Sequence, residues 1–142
     1  MKQMKKVPAI RYVVVALGVL VLGLGLVATR TANGSHPAPR EGLTAADVVP
    51  AERYAAYPRI AEVYSMVAQI PEVIDGIYCH CDCSIHSDHR SLLTCFQDDH
   101  GAACDVCLTE AALAFRMVGE GRSLKEIRRA VDELYSHAGH DH

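Results

Sequence analysis

No acidic residue occurs in the first 40 positions of this 142-residue chain, and no cysteine occurs before Cys79. The first absence leaves Lys2, Lys5, Lys6 and Arg11 as an unopposed positive flank to the uncharged run from Tyr12 to Thr29. A positive flank before an apolar stretch is the pattern of an export segment. The run is about 18 residues, and a helix needs about 17–25 to cross a bilayer. The second absence excludes lipid attachment at an N-terminal cysteine. Cleavage sites of the small-x-small type are poor, because Leu26 and Arg30 precede Ala28 and Ala32 at the critical spacing. An uncleaved span is therefore preferred over a cleaved signal. It places the domain on the extracytoplasmic side of a cell membrane, whereas cleavage would make the domain secreted or periplasmic.

Other absences narrow the chemistry. No run alternates with period two, which argues against strands. No Ser/His/Asp order, paired-carboxylate layout or glycine-rich phosphate loop occurs, so hydrolase and nucleotide-binding readings have no support and no catalytic residue is assigned. An enzyme is the less favoured class, with a metal centre in electron transfer its least supported form. Leu108 rather than a histidine follows Cys104–Cys107, which argues against covalent haem attachment. Residues 1–40 hold six of the 14 basic residues, so the rest of the chain carries 8 basic against 17 acidic residues. An acidic exported domain does not suit nucleic acid. A solvated acidic surface accounts for the same balance equally well.

What is present divides the chain into an anchor or signal segment over 1–30, a linker over 31–43, a helical domain over 44–136 and a His-rich tail over 137–142. Residues Thr31 to Gly42 are rich in proline, glycine and small polar residues, as linkers are. Thr44 can cap a short helix, and Pro50 can open a second turn. From Arg59 to Gln69, Ile60, Val63, Tyr64 and Val67 form one helical stripe that Ile70-Pro71 breaks. Helices are also predicted over Ser87–Phe96, with Leu92, Leu93 and Phe96 inward, and over Ala102–Val118, ended by Gly119 and Gly121. Ser123-Leu124-Lys125-Glu126 is a capping box that opens a last helix with Leu124, Ile127, Val131 and Leu134 inward. The expected fold is all-α: a small bundle of four to five short helices with an irregular Cys-rich loop, preceded by one membrane-spanning or signal helix.

The chemistry concentrates in Cys79-His80-Cys81-Asp82-Cys83, with Cys95, Cys104 and Cys107 following. In an extended segment, the three alternate cysteines would project to one face. Neighbours so close are poorly placed to pair as disulfides. Cys104 and Cys107 stand one helical turn apart, where both sulfurs can face one ion. Export and an even cysteine count nevertheless keep a disulfide framework or a thiol-redox protein as the alternative. Six thiols over-supply one four-coordinate zinc. The surplus suits copper(I) or a thiolate-bridged cluster, so copper(I) ranks first, then zinc, then an iron–sulfur cluster. The candidate metal ligands are Cys79, Cys81, Cys83, Cys95, Cys104, Cys107, His80 and His100. His86 and His89 also lie among the cysteines and are open as ligands or supporting donors, with an exposed loop histidine the alternative for each. Residues 72–110 hold eight acids and one base, Arg90, a field that favours a bound cation over a nucleophilic thiol.

The segments Tyr78–Cys83, His89–Phe96 and Asp99–Cys107 resemble the bacterial PCYCGC-motif family of small exported proteins and lipoproteins, over roughly residues 58–132. Tyr78 stands where the family has proline, His80 where it has tyrosine, and Asp82 where it has glycine. The resemblance implies a domain boundary and no mechanism. The function expected from the residues is that of an exported, membrane-tethered protein that sequesters or delivers copper(I). Its partners would be the ion and another metal-handling protein or a cuproenzyme under assembly.

Overall fold

The computed structural model describes residues 36–136. The expected anchor or signal segment and the His-rich tail lie outside the described residues. Among the described residues there are five α-helices and no strand. They are α1 Pro58–Gln69, α2 Pro71–Asp75, α3 Cys83–His86, α4 Asp105–Gly119 and α5 Leu124–Ser136, with short 3-10 turns over Ala45–Asp47, Ala51–Tyr54, Leu92–Phe96 and Gly101–Ala103. No helix among them is long and apolar enough to cross a membrane.

Helix α1 starts with Pro58, whose fixed φ and missing N–H suit a first helical position. Its Val63, Tyr64 and Val67 are buried, and Ile60 packs on the core from its edge. The expected stripe is thus in place, and it faces α4. Tyr64 is fully buried, with ring contacts to Tyr54 at 4.4 Å and Phe96 at 4.9 Å between centroids. Its hydroxyl donates to the Asp98 carbonyl at 2.9 Å, so a core ring carries its one polar group to a partner. Pro71 then opens the one-turn α2, which buries Ile74 and Asp75.

Helix α5 begins at the predicted capping box: the Ser123 N–H donates to Glu126 Oε2 at 2.9 Å, and the Glu126 N–H donates to Ser123 Oγ at 3.4 Å. Ile127 and Val131 are buried against α4, and Leu124 packs on the core from its edge. Leu134, expected inward, is 45% exposed, because α4 and α5 together leave it on a groove with Val63, Leu108 and Phe115.

Two further expectations change. The helix predicted over Ser87–Phe96 is only a 3-10 turn over Leu92–Phe96. Asp88 adopts a left-handed φ of 56°, and Ser91 is extended at its entry, so no helix runs through them. The stretch expected as the end of the linker is bonded to the domain. Arg40 donates to Asp75 through its backbone and guanidinium, and the Arg128 and Arg90 guanidiniums donate to the carbonyls of Pro37 and Ala38. Asp75, with no exposed side-chain surface, also accepts from Arg90 and from Ser91 Oγ at 2.8 Å. One buried carboxylate thereby joins residue 40, α2 and the approach to Cys95.

Candidate metal centre

Three chain segments deliver the donors. After α2, the Leu92 N–H donates to the Ile77 carbonyl at 2.8 Å, which holds the cysteine loop against the turn that carries Cys95. The loop then turns at His80 and Cys81 rather than running extended, and Asp82 takes a left-handed φ of 57°. Folding the loop back, rather than a strand pleat, makes the three sulfurs converge. Cys83 starts the one-turn α3, and its carbonyl accepts from the His89 N–H at 3.2 Å, which returns His89 to the same side. His100 follows a turn held at Asp99, where the Arg53 guanidinium and the Tyr54 hydroxyl both donate at 2.7 Å.

Gly101 permits the last approach. A Cβ there would lie 2.8 Å from the Cys95 carbonyl oxygen and 3.2 Å from the Phe96 ring, closer than a side chain tolerates. Cys107 enters from the first turn of α4 and is fully buried.

The sulfur contacts are short: Cys79 to Cys81 3.2 Å, Cys79 to Cys107 3.3 Å, Cys81 to Cys83 2.7 Å and Cys81 to Cys107 3.6 Å. Nitrogen joins at Cys83 Sγ to His100 Nε2, 2.9 Å, and at Cys95 Sγ to His89 Nδ1, 3.2 Å. Three sets of four donors each lie within 4.8 Å of one another: Cys79, Cys83, Cys95 and Cys107; Cys81, Cys83, His100 and Cys107; Cys83, His89, Cys95 and His100. In a tetrahedral site with metal–sulfur bonds of about 2.3 Å, sulfurs stand about 3.8 Å apart. Shifts of about 1 Å or less would therefore accommodate an ion, so this cluster can hold a metal. None of the six cysteines is in a disulfide.

Burial shapes the thiols. The hydrogen bond with Cys107, burial and the negative Glu110 push the Cys79 thiol up. Cys107 pulls Cys95 down and Cys79 pulls Cys107 down, but the other thiol neighbours and burial outweigh this and leave both raised. Burial, aided by Cys83, raises Cys81 as well. These are poor nucleophiles, and a bound cation reverses the balance by stabilising thiolate.

Not every candidate joins the donor sets. His80 is turned away from the sulfurs: its Nδ1 meets Glu110 Oε1 at 2.7 Å and its Nε2 meets Asp132 Oδ1 at 3.1 Å. Burial alone would lower its pKa, yet the two carboxylates outweigh burial and raise it. With a carboxylate at each nitrogen, His80 is placed as an imidazolium clamp between the cysteine loop, α4 and α5. The His80 N–H donates to the same Glu110 oxygen at 2.9 Å, while Glu110 Oε2 is buried with no partner among the described residues. Cys104 is half-buried, precedes α4 with extended backbone and belongs to none of the three sets. Its side chain nonetheless stays within hydrogen-bonding reach of Cys107 and Cys81, one turn away as the spacing predicts, so it borders the cluster without entering a four-donor set.

His89, open from the sequence as ligand or loop histidine, joins the donors, and two further residues carry roles that the sequence does not assign. Glu110 stands on the buried face of α4 beside Cys107 and Ala111, where a charged residue on an apolar stripe is itself a signal. His36 accepts from the Tyr78 N–H through Nδ1 at 2.9 Å and reaches Asp132 through Nε2 at 3.0 Å.

Fold and site together define a small helical domain that gathers sulfur and imidazole donors around a triplet of alternating cysteines. The chain belongs to the family described as protein of unknown function with PCYCGC motif, whose model matches residues 29–141. No curated protein and no solved structure matches the chain. The motif letters fall on Tyr78 to Cys83, so its three cysteines are Cys79, Cys81 and Cys83, and all three lie in the donor sets.

Proposed function

We propose that this domain binds copper(I), for sequestration or delivery on the extracytoplasmic side of a membrane, tethered by the segment before residue 31. The observation that carries the reading is the convergence of five cysteine sulfurs and two imidazole nitrogens on overlapping sets that all contain Cys83. Sulfur-dominated sets favour soft ions, and copper(I) above zinc among those available to thiolates. The proposed ligands are Cys79, Cys81, Cys83, Cys95, Cys107 and His100, with His89 added. Cys104 stands at the margin of the cluster, and His80 supports the loop. Tether and location rest on the N-terminal pattern alone. A metal-handling protein or a cuproenzyme under assembly would be the partner in delivery.

A second reading has its own observation. The Cys79 and Cys107 sulfurs, 3.3 Å apart on different segments, could close a disulfide and make the domain a thiol-redox protein. One preparation separates the two. The full-length chain is extracted anaerobically from its native membrane, and metal content and free thiols are measured on the same sample. Stoichiometric copper before chelation and six titratable thiols after it support the first reading. Disulfides without metal overturn it, and stoichiometric zinc or iron with inorganic sulfide reassigns the ion.

A further inference from the structure

We infer that the centre holds two metal ions bridged by the Cys83 and Cys95 sulfurs, one ion at an all-sulfur end and the other at an end completed by two histidines. The inference deepens the metal-binding reading above and rests on it. The first donor set consists of Cys79, Cys83, Cys95 and Cys107, and the third of Cys83, His89, Cys95 and His100. They share two sulfurs and differ in the other two donors. Two four-coordinate ions sharing two ligands need six donors, and these two sets supply them.

The pairing of histidines with sulfurs agrees with that arrangement. His100 Nε2 lies 2.9 Å from Cys83 Sγ, and His89 Nδ1 lies 3.2 Å from Cys95 Sγ, so each shared sulfur already has one imidazole beside it. The two rings stand edge to face, 4.6 Å apart and inclined at 69°, which keeps their nitrogens on one site without ring overlap. Cys79 and Cys107, 3.3 Å apart, close the opposite end and are buried.

Charge also favours the second ion. Four buried thiolates with one monovalent or divalent ion leave a large uncompensated negative charge, which a low-dielectric interior opposes. A second ion reduces it whichever metal is bound, while the histidines ligate without adding charge. The ends differ in hardness: sulfur alone at one, and borderline imidazole with the bridging sulfurs at the other. Cys81 touches the sulfurs of Cys79, Cys83 and Cys107 and is only partly buried, so it is the spare donor, placed to exchange an ion with the outside.

Cobalt(II) is the probe that reads a bridge. It is added stepwise to the reduced, metal-free full-length chain under anaerobic conditions, with bound cobalt and the electron paramagnetic resonance signal followed together. Two ions per chain are expected, with the signal rising over the first equivalent and falling over the second as shared sulfurs couple the spins. Saturation at one ion overturns the two-ion centre while leaving metal binding intact. Two ions with a signal that keeps rising overturn the bridge. Failure to bind cobalt, copper(I) or zinc at all overturns the metal reading and this inference with it. The double variant H89A/H100A provides a second arm. Loss of half the bound cobalt, with sulfur-to-metal charge-transfer absorption retained per remaining ion, is expected; unchanged stoichiometry would overturn the assignment of the histidine end.

Discussion

The Tyr78 hydroxyl donates a 2.9 Å hydrogen bond to the Asp82 carboxylate, joining two positions at which this chain departs from the family motif. Asp82 holds the left-handed φ of 57° at the motif's glycine position. Aspartate is among the few side chains that visit that region, and the bond to Tyr78 steadies it there. Ser84 Oγ extends the contact to the Tyr78 hydroxyl at 3.3 Å. The proline and glycine positions are thus refilled by a mutually supporting pair that preserves the turn.

Asp82→Ala should therefore destabilise the domain by about 1–2 kcal/mol, because alanine takes the same φ without the bond. Asp82→Gly should fall within about 1 kcal/mol of the parent, as glycine relieves the strain while losing the contact. Tyr78→Phe should cost about 0.5 kcal/mol alone and almost nothing in the Asp82→Gly background. Denaturant unfolding of the four variants measures this; equal costs for Ala and Gly would show that the conformation is not what matters.

The His80 clamp makes a second prediction. Glu110 has no exposed side-chain surface, so removing its partner leaves a buried carboxylate uncompensated. His80→Ala should cost about 3 kcal/mol. Glu110→Gln in the same chain should recover part of that loss, since the amide needs no counter-charge. A thermal-unfolding cycle over both positions checks it, with independent, additive costs as the contrary result.

Gly101→Ala tests the packing that seats His100. The added methyl meets the Cys95 carbonyl, a backbone atom that cannot swing away, and the Phe96 ring. A loss of about 1–3 kcal/mol is expected, together with weaker retention of the ion nearest His89 and His100. Stability is read by denaturant and retention by competition with a chelator. A variant as stable and as retentive as the parent would contradict the close approach.

How much of this the sequence carried depended on whether the information was local. Helix α1 and the α5 cap were legible because stripe spacing and Ser123–Glu126 act over one or two turns. The convergence of Cys79, Cys81 and Cys83 was also legible, though its cause was not: a left-handed Asp82 folds the loop where an extended pleat was expected. His80 looked like a ligand by adjacency, and only the approach of Glu110 and Asp132 from two distant helices makes it a clamp. His89, open from the sequence as ligand or loop histidine, joins the donors for the same reason, while Cys104 stays at the edge of the cluster. The Cys83 carbonyl that accepts the His89 N–H returns that ring to the sulfurs, and this contact leaves no mark in composition or period.

Asp75 predicts the acid limit of the fold. Burial pushes its carboxyl up, but bonds from the Arg40 side chain and backbone, from Ser91 and from Arg90 outweigh this and hold it at about 2. An unfolded aspartate titrates near 4, so between those values the unfolded chain binds the proton more readily than the folded one. The contribution is fully present above about pH 4 and is lost as pH falls through about 2. It amounts to at most about 2 kcal/mol, because the two guanidinium partners are nearly half exposed and screened by solvent. Asp75→Asn removes the titrating group and leaves both arginines unmatched. The difference in unfolding free energy between parent and variant should therefore shrink from pH 5 toward pH 2 by about that amount. A difference that stays constant across the window would mean that Asp75 is not the charged hub joining residue 40, α2 and the turn bearing Cys95.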